Sequence, residues 1–124
     1  MTTILIAEDN PTHMHLAKTV LELHGYIVLQ AADADSALLQ TRTHLPDLVL
    51  MGMQLGESNG LDVVRELKQD PATRAIPMIA MTSYLSEHPH QQALGVGCVG
   101  YIAKQYHYKE LLGLVQEVLG GEGA

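Results

Sequence analysis

Five short apolar runs, each followed by a longer stretch of different rhythm, constrain this 124-residue chain more than any other feature. The runs are "TILIA" (3–7), "YIVLQ" (26–30), "DLVLM" (47–51), "PMIAM" (77–81) and "CVGYIA" (98–103). In the intervals apolar residues recur at helical spacing: Met14, Ala17 and Leu21 in the first, Leu61, Val64 and Leu67 in the third, and Leu111, Leu112, Val115 and Leu119 in the last. Strands without alternation are buried on both faces, and helices between them supply the crossovers that a parallel sheet requires. The expected fold is therefore α/β: a doubly wound five-stranded parallel sheet of the flavodoxin-like kind, with helices on both faces.

Local signals set the boundaries. Asp9 or Asn10 can cap the first helix, Pro11 suits its first turn, and Gly25 ends it. The second helix is expected over "ADADSALLQTRTH" (32–44), with Ala34, Ala37, Leu38 and Leu45 facing inward and Pro46 closing it. Within "SEHPHQQALGVG" (86–97), Pro89, Gly95 and Gly97 leave room for about two turns of a fourth helix. One domain is expected over 1–119, followed by a frayed "GGEGA" tail at 120–124.

Charge and cysteine content narrow the setting. Fourteen acidic against seven basic residues give a formal net charge of −7, which repels nucleic-acid phosphates and anionic membranes. The single cysteine, Cys98, has no internal partner, and no charged-then-apolar leader or membrane-length run is seen, so a reducing cytoplasm is the expected compartment. Direct nucleic-acid binding and membrane insertion are not expected.

Ligands of an open parallel sheet bind beyond the carboxyl ends of its strands. Here those ends carry Glu8 and Asp9 after the first run, Gly52 after the third, Thr82 and Ser83 after the fourth, and Lys104 after the fifth. Each has an ordinary reading, as helix cap, turn residue or solvated charge. Two acids, a hydroxyl and an ammonium converging on one mouth are harder to explain that way.

Other constellations fare worse. His13 and His15 are two apart on a helix and point to different faces, while His88 and His90 flank Pro89 with no third ligand nearby. Ser36, Ser83 and Ser86 lack a G-x-S-x-G elbow. "AEDNP" sets two anions where a flavin phosphate would need a cradle. No nucleophile and base pair for an enzyme emerges.

The segments "ILIAEDN", "PDLVLMGMQLGESNGLDVVRELK", "IPMIAMTSY" and "GYIAK", in this order and spacing, resemble the receiver domain of two-component response regulators over nearly the whole chain. The resemblance implies a sheet of strand order 2-1-3-4-5. It also implies an aspartate at the end of the third strand that takes a phosphoryl group from a histidine kinase. By the same resemblance, Glu8 and Asp9 match the acid pair that holds Mg²⁺, with the Gln54 backbone carbonyl as a further ligand. Thr82 and Lys104 match the phosphoryl-contacting hydroxyl and lysine, and Tyr101 matches the aromatic that changes rotamer.

The acceptor position falls on Gly52, where "LMG" replaces the family's "LMD". Glycine has no nucleophile, so the expectation is a receiver-like domain that cannot be phosphorylated there and acts by protein contact. The alternative is a competent phosphotransfer protein in which Gly52 is an engineered or incidental substitution. With one anion gone, Mg²⁺ at Asp9 and Glu8 is expected to be weak, no other cofactor is implied, and Lys104 is left to pair with Asp9 or Glu8.

Two further departures concern loops. Gln105 stands where a proline joined by a cis bond is common, so a trans bond is the default. Gly56 also stands where a proline is usual, which is expected to loosen that loop. Tyr84, Tyr106 and Tyr108, with Tyr101, cluster around the ends of the fourth and fifth strands. They are read either as half-buried packing or as an aromatic surface for a protein partner: a histidine kinase, a phosphotransfer protein or an output protein.

Overall fold

A computed structural model describes residues 1–82, 89–104 and 106–120. The elements run β1 (Thr3–Ala7), α1 (Pro11–Leu23), β2 (Ile27–Ala31), α2 (Ala34–His44), β3 (Leu48–Gly52), β4 (Gln54–Leu55), β5 (Ser58–Asn59), α3 (Gly60–Gln69), β6 (Met78–Thr82), α4 (Pro89–Gly95), β7 (Gly100–Ala103) and α5 (Tyr108–Gly120). The five long strands form one parallel sheet in the order β2-β1-β3-β6-β7, the expected doubly wound order. Tyr84, Ser83, Ser86, His88, Gln105 with its bond to Lys104, and residues 121–124 lie outside the described residues.

Two apolar cores, one on each face, make the central strands two-sided. Leu5, Val49, Met51, Met78 and Ala80 pack with α2, α3 and α4, whereas Ile4, Ile6, Leu48, Leu50, Ile79 and Met81 pack with α1 and α5. Successive residues of a strand point to opposite faces. Both sets must then be apolar, which is why β1, β3 and β6 show no polar alternation.

Helix starts follow their caps. The Asn10 side chain accepts from the backbone N–H of Thr12 and His13, so Asn10 caps α1, and Pro11 at the first position loses no needed donor. Asp33 accepts from Ser36 N–H and caps α2, which starts at Ala34, two residues later than expected. Leu45 corrects the sequence reading: it does not face inward but is about half exposed, with φ 46° in the left-handed region, because it caps α2 ahead of Pro46. The inward position at that end is Thr41, whose hydroxyl donates to the Ala37 carbonyl and so can be buried. Helix α5 continues through Gly120, where the tail was expected to begin.

The β4–β5 hairpin was not foreseen. It is closed by Gly56 and Glu57, and Gly56 has φ 63° at the first of these positions. That is the backbone geometry glycine supplies in tight hairpins and that proline, with φ fixed near −65°, cannot adopt. Gly56 therefore fixes this loop rather than loosening it.

Candidate functional site

Strand register brings the predicted residues together. Ala7 is level with Met51, so Glu8 and Gly52 end neighbouring strands, and Thr82 is level with Ala103, one residue before Lys104. The ladder continues past the strand ends: Glu8 N–H donates to the Ala31 carbonyl, Met53 N–H to Met81 and Lys104 N–H to Thr82. Glu8, Asp9, Gly52, Thr82 and Lys104 thus share one mouth. A cleft of about 420 Å³ opens onto it between the starts of α1 and α2, floored by Met14 and Ala32.

Lys104 pairs with Glu8, not with Asp9. Its ammonium sits 2.9 Å from Glu8 Oε1 and 3.0 Å from Oε2, and the Glu8 side chain is only 1% exposed. Oε2 also accepts from Asn10 N–H at 2.9 Å. Glu8 Oε1 lies 3.6 Å from where a Cβ on Gly52 would stand. The Glu8 carboxylate therefore borders the volume that a side chain on residue 52 would enter, and the lysine closes over it.

Asp9, by contrast, faces solvent and accepts from Gly56 N–H at 3.0 Å. That hydrogen bond holds its carboxyl below the ordinary value of 3.8. Desolvation opposes the shift, while Glu8 and the charge of Lys104 assist it. A folded-state pKa below the unfolded one means that Asp9 stabilises the fold above about pH 3.8, and that this contribution disappears as pH falls through the lower folded value. In a carboxylate NMR titration Asp9 is expected to titrate below free aspartate and to return toward it when Gly56 is replaced by proline, which removes the donor. An unshifted midpoint in the native chain would contradict the bond.

Mg²⁺ does not fit these residues as they stand. Both oxygens of Glu8 are engaged by an ammonium, one oxygen of Asp9 by a peptide N–H, and no group of three or more His, Cys, Asp or Glu among the described residues could hold a metal ion.

Gly60 went unnoticed in the sequence. Its N–H donates to the Met53 carbonyl at 2.7 Å, and a Cβ there would run into the Gly52 carbonyl oxygen. The signal available was "NGL" directly before an amphipathic helix, which reads only as an N-cap. The tyrosines divide. Tyr106 packs half-buried against the α1–α5 core, where burial and the nearby Glu8 charge push its phenol upward, while Tyr101 and Tyr108 are exposed and Tyr108 lies against the His107 ring.

A mouth of this composition at the carboxyl edge of a 2-1-3-4-5 sheet defines a class, and comparison with known proteins agrees. Residues 4–116 match the family model described as response regulator receiver domain. The chain belongs to that family, whose members are signalling proteins of two-component systems. It is 34% identical over 118 residues to the polar-differentiation response regulator DivK of Brucella anthropi, covering 95% of this chain and 96% of that one. Among solved structures it resembles a CheY-like receiver domain protein from Methanospirillum hungatei (TM-score 0.89, 26% identity, covering 98% and 95% of the two chains). It also resembles the receiver domain of the sensor histidine kinase PA1611 from Pseudomonas aeruginosa, solved with a magnesium ion in its active-site cleft (TM-score 0.87, 29% identity, 96% and 98%). No helix among the described residues is long and apolar enough to cross a membrane.

Proposed function

We propose that this chain is a receiver whose residue 52 takes no phosphoryl group, and that it signals through contact with a protein partner of a two-component pathway. The observation that carries this reading is the end of β3, where Gly52 offers only backbone while Lys104 holds both oxygens of Glu8. An acyl phosphate needs a carboxylate oxygen to attack phosphorus. Asp9 is turned to Gly56, and Glu8 is buried under an ammonium. With Lys104 already neutralising Glu8 and only Asp9 left as an anionic oxygen donor, this reading expects no tight Mg²⁺ binding. Tyr101 and Tyr108 are the exposed aromatic positions this reading assigns to the partner surface, whereas Tyr106 is half-buried against the core and Tyr84 lies outside the described residues.

The opposite reading, a competent acceptor disabled only at residue 52, is favoured by the retention of Glu8, Asp9, Thr82 and Lys104 around the mouth. Against it, a Cβ on residue 52 would stand 2.9 Å from the Ala7 carbonyl oxygen, closer than side chains tolerate. A backbone shift and a third carboxylate beside Glu8 would both be required.

One experiment separates the two. With excess Mg²⁺ and a small phosphodonor such as acetyl phosphate, intact-mass measurement is expected to show no phosphoryl adduct on the native chain. G52D is expected to remain unmodified and to lose about 1–3 kcal/mol of stability. An acid-labile adduct on the native chain would overturn the proposal. An adduct on G52D alone would establish the alternative.

A further inference from the structure

We propose that the outer face of α1 is a self-complementary docking surface for a second copy of this chain. Helix α1 buries Met14, Ala17 and Leu21. At about 100° per residue the opposite face consists of Thr12, Leu16, Thr19 and Leu23. All four are exposed, the two leucines by 54% and 78%, and none is charged. The solvent side of an amphipathic helix ordinarily carries charge. Here it carries an apolar seam spaced four, three and four residues, the spacing by which one helix meets another.

The charges beside the seam say what covers it. On one flank, with His15 nearest the seam, lie Lys18 and Glu22. They are four apart with lysine first, the less favourable order for pairing within a helix, and among the described residues neither joins an ion pair. Two copies of α1 packed antiparallel about a two-fold axis beside Thr19 and Val20 set Leu16 of each against Leu23 of the other. Antiparallel packing also brings like flanks together, so His15 and Lys18 of each copy face Glu22 of its mate. An isologous contact requires this reciprocity: residue i meets j, and j meets i. Thr19 at the crossing is small enough for close approach. The pattern is complete in itself, and a heterologous helix would have to reproduce it.

One helix face buries well under a standard interface, so the association is weak. In sedimentation equilibrium from roughly 10 µM to 1 mM, the range in which weak self-association is read, the native mass is expected to rise from one chain toward two. The L16E/L23E double variant, altered only at exposed positions, is expected to stay at one chain throughout with an unchanged circular dichroism spectrum. K18E is expected to weaken association about tenfold by setting glutamates face to face, and K18E/E22K to recover it, because the two-fold restores both pairs. As a check independent of those variants, T19C chains are expected to crosslink on mild oxidation with diamide, since the new thiols flank the axis and Cys98 is buried. A native chain that stays single at the highest concentration, a dimer that survives L16E/L23E, or T19C chains that do not crosslink would each overturn the proposal.

Discussion

Lys104→Ala is expected to lower the unfolding free energy by about 3 to 5 kcal/mol, the range for removing one partner of a buried ion pair. The Glu8 side chain is 1% exposed, and the ammonium lies within 3.0 Å of both its oxygens. Without Lys104 the buried carboxylate retains the Asn10 N–H as a donor but loses the cation that offsets its desolvation. The pair also joins the first strand to the last across 96 residues of sequence, so the loss is expected in global unfolding rather than in local fraying. Urea denaturation followed by circular dichroism would read it as a lower midpoint at an unchanged slope. Replacing both partners, as in E8Q/K104M, is expected to cost much less than either charge deletion alone, because no uncompensated ion then remains. A K104A loss below about 1 kcal/mol would mean that the pair behaves as a surface salt bridge, and the closed mouth would be wrong.

The same ion pair shows where a sequence can and cannot be read. Strands β1, β3 and β6 declared themselves because burial on both faces forbids polar residues, and that demand is written in consecutive letters such as "DLVLM". The mouth residues were legible because a parallel sheet sends every strand's carboxyl end to one edge. What the letters left open was the pairing: Asp9 and Glu8 are adjacent acids, and only the register of β1 against β3 turns Glu8 inward beneath Lys104 while Asp9 faces out to Gly56. Leu45 misled for a related reason. Its hydrophobicity suggested a core position, but Pro46 requires the helix to stop, and the capping residue must leave the inward stripe. Gly56 and Gly60 were harder still, since a glycine carries no side chain from which to infer a contact. Their roles, a left-handed turn and a close backbone approach, exist only in the folded chain.

Gly60→Ala is the second substitution with a large expected effect, about 3 kcal/mol or slightly more, at the top of the overpacking range. Residue 60 opens α3 directly behind the hairpin, with its N–H on the Met53 carbonyl and its Cα against the Gly52 carbonyl. A methyl group there meets the Gly52 carbonyl with the Met51 side chain beside it, and backbone cannot step aside by changing rotamer. Relief requires the β4–β5 hairpin and the start of α3 to move off the end of β3. That motion would strain the Gly60–Met53 hydrogen bond and carry Gly56 away from Asp9. The variant should therefore show two changes together: a lower denaturation midpoint, and an Asp9 carboxyl that titrates closer to free aspartate. Gly113→Ala serves as the control, since it lies in α5 with open space around its Cβ position, and removing an interior helical glycine is expected to stabilise by about 0.5–1 kcal/mol. If G60A and G113A proved equally benign, the hairpin would not be seated on Gly52. The positioning of Asp9 by that hairpin would then have to be abandoned, leaving Glu8 and Lys104 as the only fixed part of the mouth.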